Sequence, residues 1–315
     1  MNISQACDEA STYQEWAEIY KRLTYWELEI DATENKSMQD VLEAQKTEAN
    51  AGFAKFIKNN YIDWINNPKS ERPVLSHRLM QEKVFPSVQA GSPLFFIVID
   101  NLRLDQWETL KPLVSEYFNV EEEGTYFSIL PTTTAYARNA LFSGLMPSDM
   151  ARIHPELWEG EDTDEGKNNH EEEFLGENIH RNRLSIKYSY HKILQAYQGK
   201  AVVDQFNQLI RNDLNVLVYN FVDMMSHART DMKMVRELAP NESAYRSLTK
   251  SWFEHSSLFE LFRRIHQAKA QVIVTTDHGT KRVNKPYKII GDKNVTTNLR
   301  YKQGKNLNYD EGAKH

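Results

Sequence analysis

The chain has 315 residues, with 38 Lys and Arg against 44 Asp and Glu, and its formal net charge is −6. At about 100–200 residues per domain, this length predicts one large domain or two smaller ones, and an apolar fraction of 40% excludes wholesale disorder. The longest apolar run, Leu94–Ile99, is far shorter than the roughly 20 residues of a membrane span. A single cysteine, Cys7, excludes an intrachain disulfide, so we expect a soluble cytoplasmic protein.

The N-terminal residues have the apolar periodicity of helices. Trp16, Ile19 and Leu23 recur at three- and four-residue spacing, and the pattern continues through Phe53 and Trp64 without a proline. Because an amphipathic helix must bury its apolar stripe, the sequence predicts a small helical bundle over residues 1–66. Residues 67–92 are rich in proline and predict a connector with one short helix at Ser76–Glu82.

From residue 93 onwards, continuous apolar runs alternate with helical patterns. Three runs, over residues 94–100, 216–223 and 270–278, read as strands that are buried on both faces. Residues 126–131 are taken as a further strand, and helices are predicted from about Thr134 to Leu145 and over Leu248–Ala268. This alternation predicts an α/β fold over residues 93–315, with a mostly parallel sheet flanked by helices and preceded by the bundle.

One acidic stretch interrupts this order. Residues 156–173 contain nine carboxylates, which indicates an exposed, mobile loop or else a lid or partner contact. The basic stretch that follows, over residues 180–192, is interpreted as a solvated face or as a contact for a polyanion.

The three predicted buried strands carry acidic side chains at or near their ends. Asp100, Asp223 and Asp277 would converge if the strands are parallel neighbours, and His227 and His278 accompany two of them. Converging carboxylates repel unless a cation intervenes, and Asp with His suits zinc or manganese better than calcium. Taken singly, each Asp could be a cap or turn residue and each His an ordinary histidine.

A threonine cluster lies between the predicted strand at 126–131 and the helix that follows. Thr132, Thr133 and Thr134 could simply cap that helix, but a hydroxyl there could also become a nucleophile if a metal lowered its pKa. Arg138, one turn further, could hold a phosphate oxygen or face solvent, and Asn139 is a second candidate for substrate binding.

Four separated motifs occur in a recognisable order. They are a strand ending in Asp100, the segment LPTTTAYARNALFSGLMP, the DMMSH segment and the TTDHGT segment. In this order they resemble the alkaline phosphatase superfamily and, more narrowly, its PglZ branch. Within that branch the sequence over about residues 94–310 also resembles a response regulator of the type IX secretion system. The N-terminal helices resemble that regulator's linker bundle.

The resemblance implies two zinc ions and a nucleophile. Asp100, Thr134, Asp277 and His278 would hold one zinc, and Asp223 with His227 would hold the other. Thr134 would be the nucleophile, because its ten-residue distance to Gly144 matches the superfamily, with Thr133 as the fallback. The implied reaction is hydrolysis of phosphodiesters in short cyclic and linear oligonucleotides, through a phospho-threonine.

The resemblance also implies parts that this sequence lacks. The second zinc should have a late histidine, and the one later histidine, His315, is expected not to be a ligand, so that this site is expected to be incomplete. A receiver domain would be expected before the bundle. We therefore expect a chain that lacks the receiver and the C-terminal end of the PglZ domain.

Two function classes follow from these observations. The first is a zinc-dependent phosphodiesterase effector that regulates type IX secretion; its implied partners are a sensor histidine kinase acting through the receiver, secretion-system proteins or a sigma factor, and a second copy in a phosphorylated homodimer. The alternative is a catalytically vestigial signalling module that acts by dimerisation and protein contacts. A Rossmann-type nucleotide binder is disfavoured, because no G-x-G-x-x-G follows a strand.

Overall fold

The structure is a computed structural model that describes residues 3–33, 35–67, 69–158, 166–283, 287–292, 295–296, 298 and 300–309. Its helices and strands alternate after an all-helical start. In chain order they are α1 (Ile3–Glu9), α2 (Tyr13–Thr33), α3 (Lys36–Asn66), α4 (Ser76–Leu79), β1 (Leu94–Ile99), α5 (Leu104–Ser115), α6 (Asn139–Ser143), α7 (Pro147–Ile153), α8 (Glu171–Arg181), β2 (Tyr188–Ile193), α9 (Ala196–Asp204), α10 (Phe206–Leu209), β3 (Leu214–Tyr219), α11 (Phe221–Asp231), α12 (Lys233–Leu238), α13 (Glu242–Glu254), α14 (Ser257–Gln267) and β4 (Gln271–Thr275). Two π-helical turns, Met80–Val84 and Thr134–Arg138, and a 3-10 turn, Phe85–Ser87, complete this order.

Four parallel strands form one sheet in the order β2-β3-β1-β4. The two central strands, β1 and β3, are buried along their whole length. Each of them lies between two other strands of the sheet. Leu94 lies opposite Leu214 and Gln271 in the neighbouring strands, so the strands start in register and their carboxyl ends share one edge. The predicted α/β fold with a mostly parallel sheet is confirmed.

The described residues divide into two compact units. A helical unit comprises Met1–Val74, Leu104–Tyr126 and Met232–Glu254, and a sheet unit comprises Leu75–Arg103, Phe127–Asp231 and His255–His315. The boundaries predicted from sequence, at residues 66 and 92, stay a prediction. None of the helices in the described ranges combines the length and the apolar character that crossing a bilayer requires.

The helical unit confirms the predicted N-terminal helices and adds two more elements to them. Its core includes Trp16, Ile19, Leu23 and Leu42 from α2 and α3. Arg246 of α13 is buried and donates to Asp105 of α5 at 2.8 Å, and it also pairs with acidic side chains of α2. A buried arginine of this kind is stable only when carboxylates surround it, which ties α5 and α13 to the bundle.

Two local predictions were wrong, and one strand was not predicted. Residues 126–131 form no strand and make one isolated bridge, between Phe127 and Leu75. The helix predicted over Leu248–Ala268 is two helices, because the side chain of Ser256 accepts a hydrogen bond from the Phe259 N–H at 3.3 Å and starts α14 afresh. The strand β2, which begins within the basic stretch at residues 180–192, was not predicted, because its polar side chains give no apolar run. The interpretation of this stretch as a solvated face or a polyanion contact stays a prediction.

Candidate active site

Two of the three predicted carboxylates lie where neighbouring strands end. Asp100 directly follows β1, and Asp277 comes two residues after β4. Because β1 and β4 are parallel and paired, both side chains reach the same edge of the sheet. The strand predicted to run to Asp223 is shorter, since β3 ends at Tyr219 and Asp223 lies in the first turn of α11.

Asp100, Asp277 and His278 form a compact group of ligand atoms. One donor atom from each residue lies within 4.8 Å of the others, and all three side chains are buried. Thr134 completes the group, because its Oγ1 lies 2.8 Å from His278 Nε2 and 3.3 Å from Asp100 Oδ1. We call these four residues the buried half of the site.

The backbone before Thr134 explains why this hydroxyl, and not its neighbour, faces the carboxylates. Thr133 is the extended N-cap residue of the π-helical turn, and its side chain makes no capping hydrogen bond. The Thr133 hydroxyl is buried and has no hydrogen-bond partner among the described residues. Thr134, the first residue of the turn, thereby directs its hydroxyl to Asp100 and His278.

Arg138 lies inside the protein, so the solvent-facing interpretation of this residue was wrong. Its side chain is 1% exposed, its Nη1 donates to Asp100 Oδ2 at 2.6 Å, and its Nε donates to Glu171 Oε1 at 2.5 Å. Asn139 is also buried and donates to the carbonyl oxygens of Ala135 and Lys167. The predicted roles of Arg138 and Asn139 in substrate binding stay predictions.

The charges of the buried half call for a cation. Burial and the neighbouring Asp277 raise the pKa of Asp100 to about 6, although Arg138 opposes this shift. Asp277 Oδ2 is buried and accepts no hydrogen bond from the described residues, while Arg138 Nη1 stays 3.7 Å away. Two carboxylates, an imidazole and a hydroxyl are a donor set that zinc accepts, so these residues fit a metal ion.

Asp223 and His227 form the second part of the site, which we call the open half. Asp223 Oδ2 lies 3.5 Å from His227 Nε2, one helical turn later in α11, and the His227 side chain is 72% exposed. Burial, followed by the charge of Asp100, raises the pKa of Asp223. Neither residue joins the compact group of the buried half in the described part of the chain, and His315 lies outside the described residues.

Two asparagines that the sequence reasoning missed link these side chains. The Asn101 N–H donates to Asp277 Oδ1 at 3.2 Å, and its Nδ2 donates to Asp223 Oδ1 at 3.0 Å. Its φ of 63° is left-handed, a conformation that Asn adopts more readily than most residues. Asn220 Nδ2 donates to Asp100 Oδ2 at 2.9 Å. The sequence offered one signal for Asn101, which is that it directly follows the predicted ligand Asp100.

Glu171 is a third missed residue, and it corrects the interpretation of residues 156–173 as an exposed loop. Glu171 is 1% exposed and accepts hydrogen bonds from Arg138, Asn168 and Tyr190, while Lys192 pairs with it at 3.2 Å. Asn168 also donates to the backbone carbonyl of Thr134 at 3.0 Å. Glu171 therefore holds Arg138 directly, and it holds Thr134 through Asn168. Residues 159–165 lie outside the described residues.

Comparison with known families agrees with this arrangement. The model of the PorX response regulator linker domain matches residues 1–65, which indicates a response-regulator context. Together with an alkaline phosphatase-like match over most of the rest of the chain, it supports a phosphoesterase-type effector. No curated protein sequence matches the chain. The model of the BREX system PglZ alkaline phosphatase-like domain matches residues 79–315, and the chain therefore belongs to the PglZ family of alkaline phosphatase-like domains.

Proposed function

We propose that this chain is a zinc-dependent phosphodiesterase, the effector part of a two-component response regulator, with Thr134 as its nucleophile. The observation that carries the proposal is the position of the Thr134 hydroxyl, 2.8 Å from His278 Nε2 and 3.3 Å from Asp100 Oδ1 within a buried group of ligand type. An ordinary helix-capping threonine would instead accept a hydrogen bond from its own helix.

The residues of the buried half would hold one zinc ion, and Asp223 with His227 would contribute to a second. When bound, the two ions supply Lewis-acid stabilisation of the oxygens that gain negative charge. Asp100 Oδ2 is held by Arg138 and Asn220, which leaves Asp100 Oδ1 directed at the threonine hydroxyl. The ligand set and the nucleophile are thus oriented by neighbouring side chains before a substrate arrives.

The chemical step that we propose is an in-line displacement at phosphorus. A bond forms between Thr134 Oγ1 and phosphorus while the bond from phosphorus to the leaving alkoxide breaks, and the hydroxyl proton leaves Oγ1. Asp100 Oδ1 is the acceptor within reach of that proton, because His278 Nε2 would use its lone pair to hold the zinc ion. Addition of water across the bond between phosphorus and Oγ1 then releases the phosphorylated product and restores Thr134.

The biological setting is part of the same proposal. The linker match supports a role downstream of a sensor histidine kinase, and we propose that phosphorylation favours a homodimer that acts in the cytoplasm on type IX secretion. Short linear and cyclic oligonucleotides are the proposed substrates.

The test is metal-dependent turnover by the full chain. Protein stripped with a chelator should not cleave bis-p-nitrophenyl phosphate, and added zinc should restore cleavage together with bound metal. Parallel assays with the monoester p-nitrophenyl phosphate and with short oligonucleotides separate a diesterase from a general phosphatase. Undiminished cleavage by metal-free protein, or no cleavage by zinc-loaded protein, would contradict the proposal.

A further inference from the structure

A phosphodiester carries a negative charge, and the buried half presents carboxylates to it. The nearest guanidinium, on Arg138, already pairs with Asp100 and Glu171 and is 1% exposed. It therefore has little capacity to meet an incoming anion. A second cation with access to solvent would be needed to hold the non-bridging oxygens of the substrate.

Arg300 is accessible to solvent and is held in place by backbone carbonyl oxygens next to the site. Its side chain is exposed, its Nη2 donates to the Gly279 carbonyl oxygen at 2.6 Å, and its Nη1 donates to the Thr132 carbonyl oxygen and contacts Thr132 Oγ1 at 3.3 Å. Thr132 lies two residues before Thr134, and Gly279 directly follows His278. The guanidinium is thus fixed between the two segments that carry the nucleophile and its imidazole neighbour.

The donors of Arg300 are not exhausted by these contacts. A guanidinium has five N–H groups, and the contacts with Thr132 and Gly279 account for at most three of them. Partial desolvation by the neighbouring backbone lowers the pKa of Arg300, and the negative charges of Asp223, Asp277 and Asp100 oppose this shift because the guanidinium lies near these carboxylates. A charged arginine that is held by backbone carbonyls presents its remaining donors with little loss of side-chain entropy.

We propose that Arg300 binds a non-bridging oxygen of the phosphoryl group that Thr134 attacks, and that it is the substrate-binding cation of the site. This inference rests on the proposed function and adds to it a recognition element for anionic phosphoesters. It gives the C-terminal segment a role beside the metal ligands. It also separates two arginines, because Arg138 orients Asp100 while Arg300 meets the substrate.

The experiment compares three variants of the full chain, Arg300→Ala, Arg300→Lys and Arg263→Ala, in the cleavage of bis-p-nitrophenyl phosphate. Arg263 is the matched control, because it is an exposed arginine of α14 whose guanidinium pairs with Glu260 of the same helix. We expect Arg300→Ala to lower kcat/KM by about 100-fold, the usual effect of removing one donor to a developing oxyanion. Arg300→Lys should retain part of the activity, and millimolar guanidinium should partly rescue Arg300→Ala.

Bound zinc and the melting temperature should stay at the parent values in all three variants. A merely structural role for Arg300 would lower both and would not respond to guanidinium. Unchanged kcat/KM in Arg300→Ala, or a loss of activity that only accompanies lost zinc, would overturn the inference.

Binding of inorganic phosphate distinguishes this failure from failure of the proposed function. If zinc-loaded parent protein cleaves no phosphodiester, the proposed function fails. In that case a tenfold or larger loss of phosphate affinity in Arg300→Ala, measured by calorimetry, would still support the anion site. Equal phosphate affinity in the parent and Arg300→Ala would overturn it.

Discussion

The two halves of the candidate metal site differ in how firmly the protein holds their ligands. In the buried half, Asp100 and Asp277 follow paired strands, and Arg138, Asn220 and Asn101 bond to their carboxylates. In the open half, both ligands lie on one helix, and His227 projects into solvent. Ligands that are already oriented lose less entropy on binding, so we expect the buried half to bind zinc first and more tightly.

The largest expected effect comes from removing the nucleophile of the buried half. Thr134→Ala should lower kcat for bis-p-nitrophenyl phosphate by at least about a thousandfold, because no other group can form the covalent intermediate. Steady-state kinetics with zinc-loaded protein checks this.

The neighbouring Thr133→Ala is the matched control, since the Thr133 hydroxyl makes no hydrogen bond among the described residues. It should retain activity close to that of the parent. If Thr134→Ala turned over at the parent rate, or if Thr133→Ala alone lost activity, the assignment of the nucleophile would be wrong.

Paired carboxylate variants test the order of zinc binding. Asp277→Asn should lose the tighter zinc, because it neutralises a buried ligand, while Asp223→Asn should retain it and lose only the weaker one. Titration against a competing chelator, followed by metal analysis, reports both affinities. Loss of the tighter zinc in Asp223→Asn, with zinc binding of Asp277→Asn unchanged, would show that the open half binds zinc more tightly than the buried half.

Glu171→Gln tests the support behind the buried half. The change removes the carboxylate that faces Arg138 and leaves a buried charge partly unpaired, so unfolding free energy should fall by about 3–5 kcal/mol. Glu173→Gln, on the same helix and 52% exposed, should cost at most about 1 kcal/mol. Denaturant titration of both variants provides the measurement, and equal losses would show that burial of Glu171 has no energetic consequence.

The effect of Glu171→Gln should also depend on pH. Burial alone would raise the pKa of Glu171, but Arg138 and Lys192 lower it below its ordinary value of 4.5. A lowered pKa stabilises the fold above the unfolded-state value, and the contribution is lost as the pH falls through the folded-state value. The stability difference between parent and variant should therefore be full near neutral pH and shrink in acid; a constant difference would contradict this.

The smallest expected effect belongs to the open half. His227→Ala should weaken the second zinc by about tenfold and lower kcat only several-fold, because an exposed ligand contributes less than a buried one. His180→Ala, which removes an exposed histidine of α8, serves as the control and should change neither. A loss of activity in His227→Ala as large as that in Thr134→Ala would contradict the expectation that the open half contributes less to catalysis than the buried half.

The sequence predicted those parts of the site that follow continuous apolar runs. The buried strand β1 leaves a clear apolar pattern, and Asp100 directly follows it. Asp277 comes two residues after β4, whose side chains are half-buried or exposed, so the prediction that this strand is buried on both faces was wrong. The edge strand β2 was missed because its sequence, YSYHKI, contains no apolar run. The shorter end of β3 was missed because helix α11 continues the apolar stretch beyond the sheet.

Side chains that act through tertiary contacts could not be found from local pattern. Glu171 belongs to a run of carboxylates that indicates a solvated loop, and its burial depends on Arg138, Tyr190 and Lys192, which are distant in sequence. Arg300 follows no strand and gains its position from two backbone carbonyls far along the chain. Such residues become visible only when the fold brings their partners together.

The most direct test of this account is the position of bound zinc in a crystal of the full chain. Anomalous diffraction at the zinc edge should place the tighter ion about 2.0–2.2 Å from ligand atoms of Asp100, Asp277 and His278, next to Thr134 Oγ1. Zinc bound only elsewhere, with these four side chains left without metal at saturating concentration, would contradict the account.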